Sequence, residues 1–412
     1  MIKRVNRSLP WFALLAGMIH VGAPGEVTLA APPDPVFSAR LTDGSNLRGK
    51  LREIDPNGVF TLESSDGTPQ TLPRNRVVKL VQEGASLSLK PEGSVLIFPD
   101  GDRIHRASVG AANETTVDVQ AFSLPGNLAV PLESLLGIVF TLPQEGDAAE
   151  AVVRRVREAP RSTEVLWLAN DDRLDVGFLG MTEKAVQYQL ANRPESLDRS
   201  RISTLGFDPA LVTYPEPADG FVELTLGDGS RLGVVGARLE QGQIVGTARF
   251  GSPIRVPIRD VVWLHARSPS VVYLTRRTPA AEKLIPYVGP TRPVRKDATV
   301  EGHPFRLQGE EFDRGLGAQS RTLLAYRLEP GDLRFQATVG VDDRAGSLGS
   351  VVFKVRVDNQ EVFVSPPMAA GDPPRSIDVD LKDATTLILF TEFGQRGGVR
   401  DLADWVEARI IR

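Results

Sequence analysis

The sequence predicts an all-β protein: tandem small β-barrel repeats, SH3-like or Sm-like, followed by a two-sheet β-sandwich. Three observations carry the all-β part of that prediction. Apolar and polar residues alternate in many short runs, which is the period-two signature of half-buried strands. Glycine and proline are abundant, 38 and 31 of 412 residues, and punctuate those runs as turn formers. A strand, an Asp-Gly pair and a second strand recur along the first two thirds of the chain.

Composition sets the outer bounds. A chain of 412 residues implies about two to four domains. The net charge of −4 argues against a nucleic-acid binder, which needs a basic field. Cysteine is absent. That excludes disulfide scaffolds, thiolate metal sites and cysteine nucleophiles together. Only 4 histidines are present. His20 lies in the leader, and His105, His265 and His303 stand alone with no partner at metal-binding spacing, so they read as surface or satisfied residues.

The elements follow in order. Lys3, Arg4 and Arg7 precede an apolar run from Trp11 to Ile19, and Thr28, Leu29 and Ala30 supply small residues before a cut near Ala30 or Ala31. This is the pattern of a secretory signal peptide over residues 1–30. The run is short of the roughly 20 residues of a membrane span, and no later run is longer. The expected destination is outside the cytoplasm: periplasm, cell envelope or extracellular space.

Four repeat copies come next. In the first, Phe37, Ala39 and Leu41 share one face and Ser38, Arg40 and Thr42 the other, before the turn pair Asp43 and Gly44. The later turn pairs are Asp100 and Gly101, Asp171 and Asp172, and Asp228 and Gly229. Asp-Gly suits a tight hairpin because both central residues of its commonest turn need positive φ. Each copy ends in a short apolar closing strand. A unit of about 45 residues is too small for a core of its own. The copies are therefore expected to pack in pairs, first with second over 35–142 and third with fourth over 163–267. Their outline resembles small-barrel repeats of exported bacterial proteins. Between the pairs, residues 143–162 hold good helix formers ending before Pro160, a linker helix.

Over residues 268–412 the pattern changes. Phe335, Ala337, Val339 and Val341 oppose Arg334, Gln336 and Thr338, and Val351, Phe353, Val355 and Val357 oppose Val352, Lys354, Arg356 and Asp358. One apolar and one polar face on each strand is what a two-sheet sandwich requires.

Candidate ligand groups sit at the strand ends. Asp342 and Asp343 are calcium candidates, because carboxylates are hard oxygen ligands; the alternative is a turn in which they bind their own backbone. Gln319 and Arg321 follow Gly317 and can donate to sugar hydroxyls. Asp401 and Asp404 frame the loop before the last strand. Alternation there points Val406, Ala408 and Ile410 inward and Trp405, Glu407 and Arg409 outward. An outward Trp405 would stack on a sugar ring or bury itself against a neighbouring domain.

The stretches Gly315, Leu316, Gly317, Ala318, Gln319, Ser320 and Asp401, Leu402, Ala403, Asp404, Trp405, with Tyr326, Asp342, Asp343 and Phe353 between them, resemble the NPCBM module. This is a carbohydrate-binding module found beside family 98 glycoside hydrolases. The resemblance implies the galactose-binding-like sandwich, a role in holding glycans, and no catalysis by the module itself. Two departures stand out: Gln319 and Leu402 occupy positions where the family pattern has His. The expected carbohydrate-binding residues are Gln319, Arg321, Asp404 and Trp405.

No nucleophile elbow or Walker loop is present, and no catalytic barrel carries paired carboxylates. The expectation is an exported, non-enzymatic glycan-binding protein. It has no cofactor beyond a structural calcium, no nucleic-acid partner, and envelope proteins as further partners of the repeats. The alternative is a structural or protein-interaction module of the envelope that has lost sugar binding.

Overall fold

The computed structural model describes residues 34–285, 292–395 and 397–412. The signal peptide expected over residues 1–30 lies outside them. Pro35–Arg412 form one compact unit, almost entirely of antiparallel strands.

Each repeat contributes five strands and a single-turn 3-10 helix before the last. In the first copy these strands are Val36–Leu41, Asn46–Ile54, Phe60–Glu63, Pro69–Leu72 and Val77–Gln82. The first four form a meander, and the closing strand returns to pair with the opening one. At the first and fourth turns only the glycine takes positive φ, +84° at Gly44 and +87° at Gly229. The aspartate instead accepts the backbone N–H two residues on, Ser45 and Ser230, each at 2.9 Å. Only the second turn has both residues at positive φ. The pair is thus read more often through its carboxylate than through a left-handed aspartate.

The copies pair differently from expectation. The closing strand Val77–Gln82 of the first runs antiparallel to Val261–Arg267 of the fourth, with Leu80 opposite Leu264. Gly137–Val139 of the second pairs with Ile202–Gly206 of the third. First joins fourth, and second joins third. The physical reason is edge pairing. A closing strand has one neighbour in its own unit, so its other edge offers free N–H and C=O groups. Joining two such edges makes each pair continuous, and a bridge between Arg103 and Arg231 links the pairs into one 20-stranded sheet.

The linker helix spans Gly146–Glu158 and buries Val153 and Val156. These pack with Val95, Ile97, Val139, Val165 and Trp167 on the outer face of the second-third pair. The approach is close: a Cβ on Gly137 would lie 2.7 Å from Val156.

The C-terminal part is a sandwich. One sheet comprises Arg295–Lys296, Gly315–Ala318, Ala403–Ile411, Arg334–Val341 and Arg375–Asp380, with Val271–Tyr273 added on Ala403–Ile411. The other comprises Ala281–Leu284, Thr322–Arg327, Thr386–Phe393, Val351–Val357 and Gln360–Val364. Between them lies a core that includes Phe335, Val339, Phe353, Leu389 and Trp405. The strand Ala403–Ile411 is buried along its whole length. One face meets the sandwich core; the other meets the repeats and the hairpin Phe305–Leu307 and Glu310–Phe312. A bulge breaks its alternation. Glu407 sits at φ +55°, and the register against Arg334–Val341 shifts between Gln336 and Thr338. One extra residue on one strand flips the facing of what precedes it. Ala403, Trp405, Ala408 and Ile410 therefore all point into the core, and Val406 points out to Phe305, Leu307 and Phe312.

Candidate functional site

At one end of the sandwich three loops are tied together by Asp401. Its carboxylate accepts from the Ser320 hydroxyl in the first loop and from the Ser350 backbone N–H, at 2.9 Å, in the second. Ser350 Oγ in turn accepts from Gln395 N in the third, at 3.0 Å. Arg400 adds hydrogen bonds to the carbonyls of Ala345 and Arg344. Burial pushes the Asp401 carboxyl up, and those two donors pull against it. The tie is internal, so the loops present a shared rim rather than independent tips.

The rim carries Arg321, whose side chain is 50% exposed and whose Nε lies 3.3 Å from Glu392. Gln319 is half-buried beside it, its carbonyl held by Thr322 Oγ1 at 2.5 Å. Leu348 and Val399 are exposed on the other two loops. Guanidinium, carboxylate and amide together offer donors and acceptors, with small apolar surfaces alongside. That suits a hydroxylated ligand better than a flat aromatic one.

Of the four binding residues expected, Gln319 and Arg321 reach this rim and two do not. Trp405 is 1% exposed. Its ring meets Phe353 edge-on, with centroids 5.3 Å apart, and Nε1 donates to Thr391 Oγ1 at 3.0 Å. It is a core residue and cannot cover a sugar. The Glu407 bulge turned it inward. Asp404 points to the opposite face, fully buried. Burial first, and Asp342 beside it second, push its carboxyl well above the ordinary range.

The calcium candidates are engaged elsewhere. The Asp342 oxygens accept from Arg344 N and Arg306 N, and the Asp343 oxygens from Gln308 N and Gly309 N, all at 2.9 Å. All four oxygens clasp backbone amides, and the hairpin starting at Phe305 is thereby pinned to the sheet. Turn chemistry, the alternative reading, accounts for them. Leu402, where the family pattern has His, is 2% exposed and lines the core.

Sequence reasoning missed a second polar assembly, under the docked face of the sandwich. Lys79 of the first repeat lies 3.1 Å from Glu407, and Arg409 lies 3.3 Å from the same carboxylate. Arg314 pairs with Glu223 of the fourth repeat at 2.5 Å, and Arg231 with Asp313 at 3.3 Å. Gln336 donates to Thr42 O at 2.9 Å. Burial opposes the charge on Glu223, but Arg314 first and Arg231 next outweigh it and hold the carboxyl well below its usual range. His105, nearby in the second repeat, is buried; burial, then Arg103 and Arg157, pushes its imidazole down to about 3. No sequence signal marks the pairs of Lys79, Glu223 and Arg231 with the sandwich, because each joins residues far apart in the chain.

Residues 270–411 match the family model of the NPCBM/NEW2 domain. The sandwich is thus similar to a carbohydrate-binding module family. Among curated proteins, a Renibacterium salmoninarum protein provisionally named endo-alpha-N-acetylgalactosaminidase is 29% identical over 125 residues, 29% of this chain. The match spans only 8% of that relative's length. Among solved structures, a CBM51 module of Clostridium perfringens GH95, in complex with methyl-galactose, is 27% identical, with a TM-score of 0.32. That likeness covers 34% of this chain and 99% of the module. Tandem CBM51 modules of a Streptococcus pneumoniae family 98 glycoside hydrolase give 13% identity and a TM-score of 0.30, over 91% of this chain and 88% of theirs. No helix among the described residues is long and apolar enough to cross a membrane.

Proposed function

We propose that the protein is an exported, non-enzymatic glycan-binding protein whose NPCBM-like sandwich holds the sugar and whose repeats form the seat beneath it. The observation that supports this most is the loop end. In a domain matching a carbohydrate-binding family, Asp401 gathers three loops and leaves Arg321 exposed, with half-buried Gln319 and Glu392 beside it and Leu348 and Val399 nearby. Arg321 and Gln319 would donate to sugar hydroxyls, Glu392 would accept, and the two aliphatic side chains would touch the sugar's C–H face. The rim is shallow and lacks an indole, so affinity is expected on the order of millimolar to micromolar, about −4 to −8 kcal/mol.

A second reading has its own support. With the indole in the core and no imidazole at Gln319 and Leu402, the sandwich can equally serve as a protein-interaction module of the envelope, the repeats binding envelope proteins. A glycan array probed with the full chain separates the two. Retention of a defined glycan set supports the first reading. An array without hits supports the second. Incubation with the retained glycans should release no product.

A further inference from the structure

Under the docked face, three atoms able to ligate a metal converge from two parts of the fold. Glu223 in Phe221–Leu226 and His265 in Val261–Arg267 sit directly opposite each other on paired strands of the fourth repeat. Asp313 reaches them from the sandwich, between Glu310–Phe312 and Gly315–Ala318. One ligand atom of each lies within 4.8 Å of the other two. Glu223 and His265 are each 1% exposed. Among the described residues, Glu223 Oε1 and His265 Nε2 accept or donate no hydrogen bond of good geometry; Nε2 lies 3.4 Å from Asp313 Oδ1, the third member of the set. Buried polar atoms are rarely left that way without a reason.

The remaining atoms of the three side chains are all held from outside. Arg314 takes Glu223 Oε2 at 2.5 Å, and Arg231 takes Asp313 Oδ2 at 3.3 Å. Tyr273 Oη lies 3.4 Å from His265 Nδ1 and donates to Glu407 Oε2 at 3.2 Å. With Nδ1 carrying the ring proton toward Tyr273, Nε2 offers its lone pair inward. Outer partners that fix each ligand and leave one lone pair facing a common point are how proteins orient metal ligands. Arg231 also flanks the site: its Nε is 3.8 Å from Glu223 Oε1 and 4.0 Å from Asp102. Asp102 is therefore a carboxylate to which Arg231 can turn when an ion takes its place on Glu223.

We propose that Glu223, His265 and Asp313 bind one divalent transition-metal ion, which fastens the sandwich to the fourth repeat. One imidazole nitrogen with two carboxylate oxygens suits zinc or its neighbours better than calcium or magnesium, which prefer all-oxygen sites. Three protein ligands leave a position for water.

The test uses the full chain, stripped with a chelator and carrying His303→Gln. His303 lies 3.1 Å from Asp147 near the surface and would otherwise compete. Zinc is titrated by calorimetry, and cobalt by visible absorption. The expected results are one equivalent per chain, cobalt d–d bands, and a melting temperature raised by zinc. Asp313→Asn should weaken uptake at least tenfold and abolish the zinc-dependent rise in melting. Absence of saturable uptake at one equivalent, or equal uptake by Asp313→Asn, overturns the proposal. Should Asp313→Asn fail to fold, the cobalt spectrum of the parent decides: without d–d bands the proposal falls.

Discussion

The two ends of the sandwich's polar chemistry are built on opposite plans. At the loop end Arg321 is exposed and Glu392 half-buried, and such a pair near the surface is of the kind worth about 0–1 kcal/mol. At the docked face Arg314 and Glu223 are 2% and 1% exposed. A buried pair contributes little net stability, but breaking one side strands a charge. The exposed end can therefore lose a side chain without harm to the fold and can serve a ligand. The docked face cannot, so its charges specify where the sandwich sits. The difference also bears on which piece of the chain to study. An isolated C-terminal fragment would take Lys79 from Glu407 and Glu223 from Arg314, so the full chain is the right object.

The contrast can be broken most sharply at the docked face. Glu223→Gln should cost about 3–5 kcal/mol, as breaking a buried pair does, read by denaturant unfolding of the full chain. A loss below about 1 kcal/mol would make the docked face no different from a surface. Trp405→Ala should cost roughly 3–5 kcal/mol as a core truncation. Any binding should survive in the fraction that remains folded; a binding loss at unchanged melting would put the indole back at the rim.

A smaller effect concerns Asp404. Its carboxyl is held above the ordinary value of 3.8 by burial and by Asp342. Below that value both folded and unfolded states are protonated, and Asp404 costs nothing. As pH rises past it, the unfolded chain ionises while the folded one resists, so stability falls until the raised folded value is passed. Asp404→Asn should flatten that decline and leave the mutant relatively more stable at neutral pH. Parallel pH profiles of the melting temperature for parent and mutant would contradict the assignment.

How much of this was legible depends on whether a feature is local. The strand faces of Phe335 to Val341, the helix ending before Pro160 and the turn glycines are encoded within a few residues, and they could be read. The partnering of first with fourth repeat could not. It rests on backbone groups at strand edges, which every sequence offers alike. Trp405 was ambiguous because one extra residue at Glu407 inverts the parity on which its facing was judged. Glu407 and Arg409 read as solvent-facing because a polar face covered by another polar face looks the same in sequence as one covered by water. That Gln319 and Arg321 lie at a strand end was legible from the Gly317 that precedes them. Asp401, the residue that gathers the loops, was seen only as half of a pair with Asp404, which in fact faces the other way.

The smallest expected change in stability goes with the largest expected change in binding. Arg321→Ala removes an exposed side chain, so melting should move by about 1 kcal/mol or less. Calorimetry of the full chain with a glycan retained on the array should show affinity reduced at least tenfold in Arg321→Ala and unchanged in a control at Arg327, which is exposed at the far end of the strand that follows Arg321. Equal affinity for parent and Arg321→Ala would contradict the claim that the rim gathered by Asp401 is where this protein holds its ligand.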